Sequence, residues 1–558
     1  MQARPVIFGL ETEYAISTKN APPMDVLSAA YDVVGAVRGL NIPLIDRGLE
    51  IVEDFGEHDE AEREAQKSLF EHKFANRAEI VTSSSRALRQ RLGCSGFVLE
   101  TGARYYVDMG HPEYSTPETE DPRTAVLTQK AGDNIVEECR KRAECLMRNT
   151  SKNSNLAIHI HRNNSDGKGN SYAGHENYSL SPYLFDKIID FYYSLGPLTH
   201  AVLKFLVTRT IIIGSGKVGF EDFEPAIYQI SQRADFMIRP IGNSTVRSRG
   251  IINTRNNPLA HYNMARRFHT ICGDSNMSEL SIYLKCGITA LFFKMLEQGY
   301  IQDSSSNLMT PLHDSVGAFH HVSRDLTLRK QLLLADETCT TALETQMQYC
   351  ELAKSFARDA HLAPVWMDIV QKWEAVLNGL DGNRFTDPWA GNLDWVIKER
   401  LLKQYQKQHH IEDPMDIRCQ SLALAYHDIN PDHSIYDRLL NNGKITRIVS
   451  ADEITQMIHE PPTDTRAYLR GKFIKNYSPY LVDIGWDYAI FTNGMILDMN
   501  HPRKGTREQI DPLMIDSPSF EVFFERIKNI FKTRQYEYFR GLTKNRIADT
   551  MRHDLLFD

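Results

Sequence analysis

No CxxC pair occurs among the eight cysteines, Cys94, Cys139, Cys145, Cys272, Cys286, Cys339, Cys350 and Cys419. That absence argues against a zinc ribbon or a disulfide framework and predicts reduced thiols in a cytoplasmic setting. No apolar run approaches the length of a membrane span; "TIIIG" and "ITALFF" are short core pieces. The first residues lack a basic segment followed by an apolar one, so no signal peptide is expected. Basic charge is not in excess either: a net charge of -8 speaks against a general nucleic-acid binder. Fixed-period repeats and low-complexity tracts are missing. What remains is an ordinary globular composition, 42% apolar and 24% charged, over 558 residues. That length suits one large domain with one or more smaller ones.

The segments "RPVIFGLETEYAIS", "GARYYVDMG", "NLAIHIHRNN", "RTIIIGSGKVG" and "PAIYQISQRADF" are rich in β-branched and aromatic residues and read as strands. "TAVLTQKAGDNIVEECRKRAECLMR" reads as a helix, and "YLFDKIIDFYYSLGPLTHAVLKFLVTR" as one broken near Gly196-Pro197. Residues 279–405 read as mostly helical. Residues 46–78 are dense in charge and poor in β-formers, as in a solvated insertion or a loop near a site. A small C-terminal module is expected from about residue 431, with a hairpin turning at Asn493-Gly494 and a helix over "SFEVFFERIKNIFKTRQYEYF".

In "GLETEYAIS", Glu11 and Glu13 are two residues apart and share one face of a strand. Two buried, unpaired carboxylates are costly, so something cationic should lie against them. "GARYYVDMGHPEYSTPE" puts Arg104, Tyr106 and Asp108 on one face, with Glu113 and Thr116 close behind. Carboxylates of this kind hold Mg²⁺, and arginine forks suit phosphate. "NNSDGKGNSYAGHENYS" closes a polar loop on His175 and Glu176, and "RRFHTICGDSNMSE" adds His269, Asp274 and Glu279. "GSGKVG" matches G-x-G-x-x-G, but an acidic, proline-containing stretch follows where a helix should start, and it lacks a G-K-[ST] ending. It reads as a glycine-rich turn. Arg233, Arg247, Arg249 and Arg255 form an arginine cluster suited to phosphates, an acidic protein segment or structural ion pairs.

"GLETEYAIS", "GARYYVDMGHPEYSTPE", "DGKGNSYAGHENY", "GSGKVG", "SQRAD", "RGIINTR", "GDSNMSE" and "PPTDTRAYLRG" together resemble the family of the Pup ligase and the Pup deamidase/depupylase, in order along nearly the whole chain. The resemblance implies an α+β, glutamine-synthetase-like fold: a curved, mostly antiparallel sheet backed by helices (1–430) with a small C-terminal domain (431–558). It implies ATP and Mg²⁺ as cofactors. It also implies a small, disordered, Pup-like protein modifier and its protein conjugates as partners, with neither nucleic acid nor membrane. By the same resemblance Asp108 is the catalytic residue. Arg104, Thr116, Trp486 and Arg233 are the nucleotide contacts. Glu11, Glu13, Tyr106, Glu113, His175 and His269 are metal-site residues.

The family has two opposed activities. In one, ATP activates the modifier's Glu carboxylate as an acyl phosphate for attack by a protein lysine; in the other, the terminal Gln amide or the isopeptide bond is cleaved. The Asp108-to-His111 spacing in "DMGHPEYS", the forms "GLETEYAIS" and "PPTDTRAY", and the place of the 46–78 insertion resemble the hydrolase. "TVRSR" and "GDSNMSE" resemble the ligase. The hydrolase is the favoured expectation, with the ligase as its alternative.

Overall fold

Alternation in the opening strand sets the architecture. In the computed structural model, residues 6–21, 25–48, 96–189, 195–221, 228–255, 264–301, 307–413 and 415–535 are described. The first strand, β1 (Phe8–Glu13), buries every second residue. It pairs on one side with β6 (His111–Ser115) and on the other with β8 (Gly174–Leu180). The sheet extends through β5 (Arg104–Asp108), β4 (Gly96–Leu99) and β3 (Leu44–Gly48) on one flank. The strand Arg266–Thr270 closes the other flank, making seven strands, all antiparallel. Two further strands, β2 (Ala15–Lys19) and β7 (Ala157–His161), pair antiparallel beside it.

One face of the sheet is apolar and carries the helices. Phe8, Leu10, Tyr178 and Phe268 join a core with Phe292 and Phe293 from the buried helix Glu279–Glu297. Phe97, Leu99, Tyr105 and Tyr114 join Ile135, Val136 and Cys139 of the helix Pro122–Ser151, and Val33 and Val34 of α1 (Asp25–Gly35). Each such side chain contributes about 1.5–3 kcal/mol on burial. The long helix approaches the sheet at Gly132, where a Cβ would stand 2.4 Å from the Tyr114 ring; glycine is required there by space alone.

The C-terminal strands Leu481–Ile484, Tyr488–Phe491, Met495–Asp498 and Lys532–Gln535 form a second, four-stranded sheet. Its core begins at Tyr468 and meets the large sheet through Ile45 and Val98. Residues of the 431–454 stretch pack instead with the large unit: Tyr436, Leu440 and Ile445 with Met277 and Ile397, and Val449 and Ile454 with the main core.

Two local expectations are corrected. "TIII" is the helix Thr210–Ile213, not a strand; it continues directly from the helix Pro197–Thr208 with all four residues buried, and helical bonding satisfies its backbone in an interior that offers no strand partner. The helix expected over 519–539 stops at Ile527, and Lys532–Gln535 becomes a strand because Met495–Asp498 presents a free edge for pairing; the expectation beyond residue 535 lies outside the described residues. The break before Pro197, the helical reading of 279–405 and the hairpin at Asn493-Gly494 match the structure. From residue 49 onward, the insertion expected at 46–78 lies outside the described residues. Among the described residues no helix is long and apolar enough to cross a membrane, and the seven described cysteines are free.

Candidate active site

The opposite face of the large sheet is polar, and strand register decides what meets there. Glu11 lies opposite Ser115 and His175, Glu13 opposite Glu113, Tyr106 opposite Glu113, and Arg104 opposite Ser115. His269 lies opposite Asn177 at the far edge. Directly opposed residues share a face, so Arg104, Tyr106, Asp108, Glu113, Glu11, Glu13, His175 and His269 stand on one surface.

Two groups of donors form within it. Glu11, His175 and His269 bring one ligand atom each to within 4.8 Å of one another, as do Glu13, Asp108 and Glu113. Glu11 is held at 3.0 Å from His175 Nδ1, accepts from the Asn177 amide at 2.8 Å, and lies 3.6 Å from Arg267. Burial opposes its charge, but His175, His269 and Arg267 win and hold its pKa far below the usual carboxylate range. Burial, Arg267 and His175 keep His269 neutral, with its Nδ1 2.8 Å from the Asn177 side-chain oxygen.

Glu113 is in the reverse position. Burial, then Asp108, Glu13 and Glu11, push its pKa well up, and the Tyr106 phenol donates to it at 2.6 Å. Glu13 accepts from the Ala173 backbone at 2.7 Å. Crowded carboxylates that cannot all be charged in isolation are what a divalent cation relieves. The oxygen-only group Glu13/Asp108/Glu113 fits Mg²⁺, whereas Glu11/His175/His269 mixes oxygen with nitrogen.

Asp108 ends β5 at a two-residue turn. Met109 and Gly110 have φ of 43° and 93°, and Asp108 pairs with His111. Both central residues at positive φ make this a primed hairpin turn, whose twist matches the strands. The phenol of Tyr31 on α1 is half-buried; burial, then the Asp108 charge, raises its pKa. Arg104 stacks its guanidinium 5.2 Å from the centre of the Tyr106 ring.

Beside Glu11 the surface opens into a cleft lined among others by Gly9, Thr116, Asn177, Arg267, Arg466 and Trp486. Thr116 sits in its wall with its hydroxyl accepting from the Leu10 N–H at 2.9 Å. Trp486 reaches the cleft from the C-terminal sheet, with Arg470 stacked 4.7 Å from its ring. Arg233 does not line it: this arginine is buried and donates to the carbonyls of Ile271 (2.8 Å) and Tyr172 (2.8 Å) and to Ser171 Oγ (2.9 Å). Burial lowers its pKa, and the charge of Glu13 acts against that.

Three residues flagged with the site have other tasks. Glu176 points to the apolar face and takes a two-pronged pairing from buried Arg209, at 2.8 and 2.7 Å. Asp274 gathers the backbone N–H groups of Ser215, Gln232 and Arg233 and so ties down the glycine-rich turn. Glu279 accepts from the N–H groups of Ile448 and Val449. Asn177, Arg267 and Tyr31 were missed. Counting two residues on from His175 in "GHENYS" finds Asn177, and counting two back from His269 finds Arg267; no sequence signal marks Tyr31.

A sequence profile described as "Pup-ligase protein" matches residues 6–490. The chain is 34% identical over 519 residues to a depupylase of Acidothermus cellulolyticus, covering 91% of this chain and 96% of that one. It is 36% identical over 384 residues to a Pup–protein ligase of Kineococcus radiotolerans, covering 68% and 80%. Among solved structures it resembles the Pup ligase PafA in complex with ADP, with a TM-score of 0.66 and 27% identity over 83% of this chain and 94% of that one.

Proposed function

The chain belongs to the Pup-ligase protein family, and from that premise we propose that it is a deamidase/depupylase: a hydrolase that removes the C-terminal Gln amide of a Pup-like modifier and cleaves its isopeptide bond to protein lysines. The observation that carries the reading is the meeting of Asp108 with Glu13 and Glu113 within 4.8 Å, on the same sheet face as the cleft. The likeness to a depupylase along 91% of this chain favours the hydrolytic direction. The ligase is the second reading, favoured by the 36% identity to a Pup–protein ligase.

The residues divide the work as follows. ATP with Mg²⁺ supplies cationic charge beside an anionic phosphate chain when bound. Trp486, Thr116 and Arg104 would hold the nucleotide. Glu11, Glu13, Tyr106, Glu113, His175 and His269 would hold the cations, with Glu13 and Glu113 the better match for Mg²⁺. Arg233 serves the same site through Ser171 and Tyr172, whose loop carries the Ala173 N–H that binds Glu13. Asp108 takes a proton from the attacking water, a general-base role. The Tyr31 phenol on α1 feels that carboxylate's charge. The amine or ammonia departs and the modifier retains a Glu carboxylate. A division between a large catalytic unit and a small C-terminal one nearer residue 460 than 430 is supported by the packing of Tyr436, Leu440, Val449 and Ile454 with the large unit.

Mass spectrometry of a modifier ending in Gln, incubated with the enzyme and Mg·ATP, tests the reading. Conversion of the terminal amide to an acid is expected; an unchanged amide, with a Glu-ended modifier becoming attached to protein lysines instead, would make the enzyme a ligase.

A further inference from the structure

The strand β7 carries an H-x-H pattern, His159 and His161, that the reaction does not use. Residues two apart in a strand share a face. The segment 427–433 runs alongside this strand: Arg162 N–H donates to the His427 carbonyl at 2.8 Å, Ile429 N–H to the Ile160 carbonyl at 3.2 Å, and His161 bridges to Asp428. This brings His159, Asp428 and His433 together, with one ligand atom from each within 4.8 Å of the others. None of the three lines the cleft.

From this juxtaposition we propose a second metal centre, a divalent transition-metal site of the zinc type held by His159, Asp428 and His433. The donor set is two imidazoles and a carboxylate, with a further position for water. Asp428 is buried, and its Oδ1 accepts from the Asn430 N–H at 2.9 Å. Its Oδ2 lies 3.9 Å from His433 Nδ1 and 3.8 Å from His161 Nε2. These gaps exceed a hydrogen bond. Two ligand atoms on one tetrahedral zinc stand roughly 3.4 Å apart, so a small closure completes the site. The Asn430 side-chain nitrogen approaches the same His433 Nδ1 at 3.3 Å and gives it up on coordination. His161 Nε2, two residues along the same strand face and 3.8 Å from Asp428 Oδ2, is placed as a fourth donor. Both halves of the site are fixed by backbone pairing, which lowers the ordering cost of binding. The ion would staple the segment 428–433 to β7.

The test uses the full-length protein, stripped with chelator and reloaded with Zn²⁺ or Co²⁺. His433 is 59% exposed at its side chain, so His433→Ala leaves the fold intact. His433→Ala and His159→Ala should each lose one equivalent of Zn²⁺, bind it at least about tenfold more weakly, and lose a visible Co²⁺ absorption band. Glu11→Gln should keep that band. Zn²⁺ should raise the melting temperature of the wild type but not of His433→Ala. Equal stoichiometry and an unchanged band in His433→Ala would overturn the proposal, as would failure of the wild type to retain Zn²⁺ outside the Glu11 group. If His159→Ala does not fold, His433→Ala decides.

Discussion

Asp108 and Glu113 are neighbours in one carboxylate group, yet their substitutions should act in opposite ways. Asp108→Asn keeps the shape and removes the basicity, so turnover on an amide or isopeptide substrate should fall by about 10²–10⁴ while nucleotide binding, measured by titration calorimetry, persists. Glu113→Gln removes a charge that the metal-free fold struggles to carry. Its folded pKa lies above the ordinary 4.5, so the folded state keeps a proton that the unfolded state releases. Its contribution to stability therefore falls as pH rises above about 4.5. Melting curves of the chelator-treated proteins should show Glu113→Gln gaining on the wild type as pH rises from 5 towards 8, and losing that advantage when Mg²⁺ is added. A constant difference across pH would mean that Glu113 is not crowded. At this scale the sequence was readable wherever the strand period is unbroken: the shared face of Glu11 with Glu13, and of Tyr106 with Asp108, follows from alternation. Glu176 was misjudged because adjacency to His175 in the chain is opposition across a sheet, and the partner that explains it, Arg209, lies 33 residues away.

The junction between the large sheet and the C-terminal helix Ala467–Tyr477 rests on Glu118, which binds Arg466 at 2.8 Å and Arg470 through both oxygens. Burial raises its pKa, but the two guanidiniums outweigh that and bring it from 4.5 to about 2. The stability this gives is present above pH 4.5 and is lost as pH falls towards about 2. Glu118→Gln should cost roughly 3 kcal/mol in chemical denaturation at neutral pH, and the cost should shrink by pH 3. An equal cost at both pH values would mean that packing, not charge, is lost. A second element under tension is the β5–β6 turn. Gly110 has a φ of 93°, where a Cβ is strained, so Gly110→Ala should destabilise by about 1 kcal/mol or more and lower turnover through displacement of Asp108. Turns and helix breaks of this kind were legible because glycine and proline mark them locally. The helix Thr210–Ile213 and the strand Lys532–Gln535 were not, because each is decided by a distant partner or by the lack of one.

The cleft is a property of the whole molecule: β1 and β6 supply its floor, β8 and the strand Arg266–Thr270 one wall, and Trp486 and Pro502 of the C-terminal region the rest. Trp486→Ala should weaken ATP binding by a factor of about 5–150, in line with the 1–3 kcal/mol of an aromatic–base stack; unchanged affinity would place the base elsewhere. The long motifs make the fold legible in the sequence, whereas the extent of the two cores is not marked there, since Tyr436, Leu440, Val449 and Ile454 pack with the large unit through partners distant in the chain. The proposed function has Asp108, beside Glu13 and Glu113, drive cleavage rather than synthesis. Its most direct test follows a purified conjugate of a Pup-like modifier with a protein lysine over time in Mg·ATP. The wild type should release free modifier and unmodified target, and Asp108→Asn should release neither. A stable conjugate with the wild type, or equal release by Asp108→Asn, would contradict it.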